Sequence, residues 1–105
     1  MNPIGVNTFV WYSPITDAGV AEAAAKARRI GFEWLELPIE SPGDWDPGRA
    51  GEIFREYGLR GSICAAMGPG RDLTESATVE ATSDYVRYCI DALAALVGGP
   101  VAGPI

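Results

Sequence analysis

A chain of 105 residues that is 48% hydrophobic and 21% charged has room for one globular domain and is not of disordered composition. With 8 basic against 14 acidic residues the formal charge is -6, which disfavours nucleic acid and anionic membrane surfaces as partners, and no apolar run approaches the roughly 18 residues of a membrane span. The sequence has no histidine and only two cysteines, which excludes a disulfide scaffold, a thiolate zinc site and any Ser-His or Cys-His nucleophile pair; free thiols and a soluble, cytoplasmic protein are expected.

The first apolar segment, Ile4 to Val10, reads as a strand. A helix over about Asp17 to Ile30 follows, with Val20, Ala24, Ala27 and Ile30 on one face and Gly31 placed to end it in a left-handed cap. Trp34 to Leu37 is the second strand. Asp46 and Pro47 are the N-cap and first position of a second helix that carries Ala50, Ile53, Phe54 and Tyr57 at helical spacing and stops at Gly58. Gly61 to Ala65 is the third strand. The longest helix runs from Ser76 or Thr78 to Val97, with Val86, Ile90, Leu93 and Val97 in one stripe, Tyr85 and Cys89 beside it, and Gly98 as a third cap. A fourth strand begins near Val101.

The order β-α-β-α-β-α-β, with near-continuously apolar strands, implies a parallel sheet with right-handed crossovers. Two architectures fit: a small three-layer open sheet, or parallel β/α units that form the first half, four strands and three helices, of a TIM barrel. The sequence stops at VAGPI, inside what reads as a strand, so the chain is expected to be a single partial domain, truncated after its fourth strand.

Four segments, GVNTFVWYSPIT, IGFEWLELPIESPGDWDP, GLRGSICAAMGPGRDL and GGPVAGPI, resemble in order and spacing the first half of ketose 3-epimerases. These are the D-tagatose and D-psicose (D-allulose) 3-epimerases, in the xylose isomerase-like group of sugar phosphate isomerase/epimerase TIM barrels. The resemblance implies a metal-dependent isomerase using manganese, cobalt or magnesium. In it two glutamates move the C3 proton of a ketose through an enediolate. The family's metal cage of glutamates, aspartate and histidine comes from later strands, so the resemblance implies a chain that supplies part of a substrate pocket and binds no metal alone. Isomerase activity from these residues by themselves is not expected.

On that reading Asn7, Phe9 and Trp11 share one face of the first strand and would wall the pocket for a ketose or related small sugar, whose C–H faces stack on rings while its hydroxyls seek amides. Core packing for Phe9 and backbone hydrogen bonding for Asn7 are the structural alternatives. Cys64, on a face with Ser62 and Ala66, and Met67 would contact the same substrate. Nucleophilic catalysis by Cys64 is disfavoured, because it needs a thiolate stabilised by a base or cation and there is no histidine to supply one. Glu36, a carboxylate inside an apolar strand, needs hydrogen-bond partners and is expected to orient its neighbours and not to transfer the proton. Glu40 is read as a solvated loop charge, and Cys89 as core.

The loop MGPGRDL lacks the Lys-Ser/Thr of a phosphate-binding P-loop. Arg71 is the one cation there able to hold an anion. Asp72 adjoins it, and a loop-anchoring ion pair is the simpler expectation. Asp44 and Asp46 are too few to hold a metal. A half-barrel would also expose its first and fourth strands as unpaired edges, inviting self-association. A non-catalytic small α/β module that binds a ligand or partner is the alternative function. A DNA-repair relative with the same barrel, resembling endonuclease IV, is disfavoured by the acidic charge.

Overall fold

Two left-handed glycines set the rhythm of the chain. Gly31 (φ 110°) closes α1 (Asp17–Ile30) and Gly58 (φ 66°) closes α2 (Pro47–Tyr57), so each helix hands the chain to a strand within three residues. The computed structural model describes residues 2–96 and 98–103. Its strands are β1 (Gly5–Asn7), β2 (Trp34–Ile39), β3 (Arg60–Ala65) and β4 (Val101–Ala102), all parallel in the order β1-β2-β3-β4. Each helix links two neighbouring parallel strands, and α1 packs on α2 and α2 on α3 (Val79–Ala95), which places all three on one side of the sheet, the arrangement right-handed crossovers give. The four strands and three helices expected from the sequence are therefore present.

The helix-facing side holds the core. Leu35, Leu37 and Ile39 of β2 and Ile63 and Ala65 of β3 are fully buried there, against Val20, Ala23, Ala24 and Ala27 of α1, Ile53 and Phe54 of α2, and Tyr85, Cys89 and Ala92 of α3. The alanines keep α1 close to the sheet, and Gly51 lets α2 meet the Ala95 carbonyl at the end of α3. Asp46 caps α2 by accepting the Arg49 N–H (2.9 Å), with Pro47 at its start. Asp46 also donates its own N–H to Asp17 (2.7 Å), tying the starts of α1 and α2 together.

Four expectations are corrected. The first strand ends at Asn7, not Val10, because the Asn7 side chain accepts the Phe9 N–H (2.8 Å) and caps a 3-10 turn over Thr8–Val10. The alternation that would align Phe9 and Trp11 with Asn7 therefore stops. The buried stripe of α3 is Thr82, Tyr85, Cys89 and Ala92; Val86 and Leu93 flank it and Ile90 is 53% exposed. That helix ends at Leu96 in extended conformation and not at a glycine cap, and the Val97 end of the expected stripe lies outside the described residues. In α1, Ile30 is exposed, its place in the core taken by Ala23.

Candidate functional site

Period-two alternation leaves Gly5 and Asn7, Trp34, Glu36 and Pro38, Arg60, Ser62 and Cys64 on the sheet face turned away from α1, α2 and α3, where Pro38 and Ser62 are themselves buried. In-register pairing sets Asn7, Glu36 and Ser62 side by side across β1, β2 and β3. Their side chains form one chain of hydrogen bonds. Asn7 donates Nδ2 to Glu36 Oε1 (2.8 Å), and Ser62 donates Oγ to Glu36 Oε2 (2.7 Å). Both oxygens of the carboxylate are held, and because Asn7 Oδ1 is fixed by Phe9 the amide cannot turn over without losing two bonds.

One level below, Arg60 stacks on the Trp34 ring at 4.7 Å and closes the N-terminal end of this face. Gly5, Trp34, Asn7, Glu36 and Ser62 line a concavity of about 170 Å³. One level above, at the C-terminal ends of the strands, lies half-buried Cys64. Burial first, and the Glu36 charge second, push its thiol up, against a weaker opposing hydrogen bond to Asn7. A thiol at neutral pH, it is a soft wall and not a nucleophile. The arrangement offers an oriented carboxylate, an amide and a thiol on one surface, which can bind hydroxyls. Among the described residues no three His, Cys, Asp or Glu side chains converge as metal ligands, so these residues do not fit a divalent metal site on their own.

Two curated proteins align over nearly the whole chain. An L-ribulose 3-epimerase of Methylomonas sp. (strain DH-1) is 28% identical over 103 residues, and a ketose 3-epimerase of Arthrobacter globiformis 27% identical over 104. These alignments take in 96% and 97% of this chain and 36% of each relative. Among solved structures, a D-allulose 3-epimerase from Methylomonas sp. in complex with D-allulose matches with a TM-score of 0.83 at 27% identity, covering 94% of this chain and 35% of that one. A structure of L-ribulose 3-epimerase matches with a TM-score of 0.85 at 26% identity, covering 98% and 35%. The chain resembles part of a ketose 3-epimerase barrel. It spans a little over a third of the length of these epimerases, a share consistent with the N-terminal portion. No family model matches it.

Of the residues expected to line a sugar pocket, the structure gathers Asn7 and Cys64 with Glu36 on the face turned away from the helices. Phe9 follows in the 3-10 turn, 42% exposed. Trp11 packs partly buried beside α1, where Lys26 Nζ lies 5.5 Å from its ring centroid. Met67 is half-buried against the core just beyond β3. Ser62 is the residue to which sequence reasoning gave no role of its own; its place two residues before Cys64 on the same strand was the available signal.

Two loop expectations change. Glu40 is half-buried and accepts the Ser13 hydroxyl (3.0 Å), which ties the loop after β1 to the end of β2. Arg71 is no ion pair with Asp72. It donates Nη1 to the Ala66 carbonyl (2.7 Å) and stacks on the Tyr85 ring (3.8 Å), while Asp72 turns to the Thr74 N–H (2.8 Å) and hydroxyl (2.6 Å).

Proposed function

We propose that this chain is the substrate-pocket part of a sugar isomerase/epimerase of ketose 3-epimerase type. Asn7 and Cys64 face the ketose in this reading, and Phe9, Trp11 and Met67 stand on the rim around it. Glu36 lies beneath, orienting Asn7 and Ser62. The observation that carries it is the hydrogen-bonded row Asn7–Glu36–Ser62 on the face, turned away from the helices, of a sheet that matches an allulose-bound epimerase at a TM-score of 0.83.

Proton transfer at C3 and the divalent metal, manganese, cobalt or magnesium, belong to the remainder of the barrel in this reading. The described residues bring together no ligand set for a metal, and the side chains of the row are already engaged with one another. What this chain contributes is position. Its amide and carboxylate are held in one orientation each, so a sugar hydroxyl meets partners whose ordering has already been met by the fold.

The test is a chimera in which this chain replaces the matching segment of the Arthrobacter globiformis ketose 3-epimerase. With manganese it should epimerise free ketoses at C3, followed by chromatography of the two epimers, and Glu36→Ala within it should lower turnover. A folded but inactive chimera would sink the reading. Turnover by the 105-residue chain alone would overturn the division of labour.

A further inference from the structure

A second, larger concavity of about 460 Å³ shares no residue with the polar row. It lies between Pro42 of the loop after β2, Pro69 and Arg71 of the loop after β3, and Asp84, Tyr85 and Tyr88 of α3. Its size is that of a small-molecule site. What distinguishes it is charge. Sequence adjacency gives Arg71 a carboxylate neighbour, yet the fold separates them. The Asp72 carboxylate accepts two hydrogen bonds from Thr74, and the Asp72 N–H is held by Thr82 Oγ1 (3.0 Å). The acid that lines the concavity, Asp84, is paired with Arg87 (2.7 Å). Among the described residues Arg71 is within salt-bridge distance of no carboxylate.

The guanidinium is also fixed. One N–H is bound to Ala66, and the plane rests on Tyr85, which is itself buried and hydrogen-bonded to the ends of β2 and β3. Arg71 lines the concavity, and Ala66 is the only hydrogen-bond partner of its guanidinium among the described residues, so a ligand would find spare donors on a side chain that is already ordered. Tyr88 accepts the Gly43 N–H (3.3 Å), which leaves its own hydroxyl proton to donate. A fixed cation and a hydroxyl donor beside two proline rings match an oxyanion carried on a small carbon framework.

We propose that this concavity is an oxyanion site in which Arg71 holds the phosphate or carboxylate of a small polyhydroxylated ligand. The carrier's identity as a sugar rests on the epimerase reading; the oxyanion chemistry rests on the concavity alone.

The test is a titration of the 15N-labelled chain, read at the amides of Gly70, Arg71 and Tyr88. The probes are D-fructose 6-phosphate, D-gluconate, inorganic phosphate and free D-fructose. Saturable shifts with the charged probes and none with free D-fructose are expected. Shifts with D-fructose 6-phosphate and inorganic phosphate but not D-gluconate assign a phosphate site; shifts with D-gluconate as well assign general oxyanion recognition. Arg71→Gln should weaken D-fructose 6-phosphate by about tenfold, and Tyr88→Phe by about threefold. Because Arg71 also anchors its loop, Arg71→Lys is the companion variant; it keeps the charge and should lose less than Arg71→Gln. Added salt should weaken binding further. Absence of binding, equal binding of free D-fructose at these amides, or Arg71 and Tyr88 variants all within twofold of the parent would overturn the proposal. The chimera above uses only free ketoses, so either reading can fail without the other.

Discussion

Replacing Tyr85 by phenylalanine removes one oxygen from the middle of the fold, and its consequences should depend on pH in a calculable way. The Tyr85 side chain, 5% exposed, rises from α3 to the C-terminal ends of two strands. Its hydroxyl accepts the Ala66 N–H (2.7 Å) just past β3 and donates to the Ile39 carbonyl at the end of β2. The Tyr85→Phe variant would keep the ring under Arg71 and leave that N–H and carbonyl without a partner. An unsatisfied buried group costs about 1–3 kcal/mol; Ile39 is 1% exposed and Ala66 half-buried, so the carbonyl should bear most of the loss, about 2–4 kcal/mol in total.

The alkaline limb gives a second, independent number. Burial, above all, pushes the Tyr85 phenol up from 10.0 to about 12, against a hydrogen bond from Ala66 and the nearby Arg71 charge. The folded state keeps the proton that the unfolded chain loses near pH 10. The phenol's contribution is thus fully present below pH 10 and fades as pH rises towards 12. Over that range the loss amounts to about 2.7 kcal/mol. Tyr12 and Cys64 are raised in the same direction and add to the alkaline fall in both proteins, whereas Cys89, also raised, interacts with the Tyr85 hydroxyl, so the difference between parent and variant reports Tyr85 together with its effect on Cys89. Urea unfolding followed by tryptophan fluorescence at pH 8, 10, 11 and 11.5 should show a stability gap of a few kcal/mol that narrows steadily above pH 10. A gap that stays constant over that range would refute the buried, proton-holding phenol. A gap under about 0.5 kcal/mol at pH 8 would refute the strand-end bridge.

Two further perturbations test the sheet and the helices. Glu36→Ala should cost about 1–2 kcal/mol, because half-buried Asn7 Nδ2 and buried Ser62 Oγ lose their acceptor, whereas Glu36→Gln, which can accept from Asn7 and donate to Ser62, should cost less than about 1 kcal/mol. Equal losses in urea titrations would contradict the row, and in Glu36→Gln the Cys64 alkylation profile should move to lower pH as the neighbouring charge disappears. Gly51→Ala should cost about 1–3 kcal/mol, since its Cβ would overlap the Ala95 carbonyl, while Gly48→Ala, with its nearest neighbour at 3.6 Å, should gain a few tenths from helix propensity. The same sign for both in thermal melts would mean that α2 and α3 do not meet as described.

What could be read from the sequence was set by local chemistry. Gly31 and Gly58 end helices because no other residue enters the left-handed region so readily, and Asp46-Pro47 starts one by capping geometry that needs no distant partner. Failure came where local and distant demands compete. A run such as NTFVW has strand propensity, but the Asn7 side chain satisfies the Phe9 N–H and the chain coils away instead. In α3 hydrophobicity alone prefers Ile90 for the core. The position goes to Tyr85 and Cys89 because Tyr85 alone can pack its ring and also reach the open ends of β2 and β3. Arg71 shows the same limit for charge: adjacency to Asp72 says nothing about pairing once Thr74 offers the carboxylate two short bonds.

The polar row is the part of the structure that folding does not require. On the helix side the side chains are consumed by packing, and a polar substitution there would leave an orphan. On the other face Asn7, Glu36 and Ser62 bond mainly to one another, and a closed network of this kind is near neutral for stability beside apolar residues of equal shape. Stability therefore gives no reason for a carboxylate at the centre of β2. Orientation does: with Phe9 holding one end of the Asn7 amide and Glu36 the other, the amide keeps a single direction beside Cys64, at the strand ends where a bound sugar in this reading would have to be recognised one hydroxyl at a time.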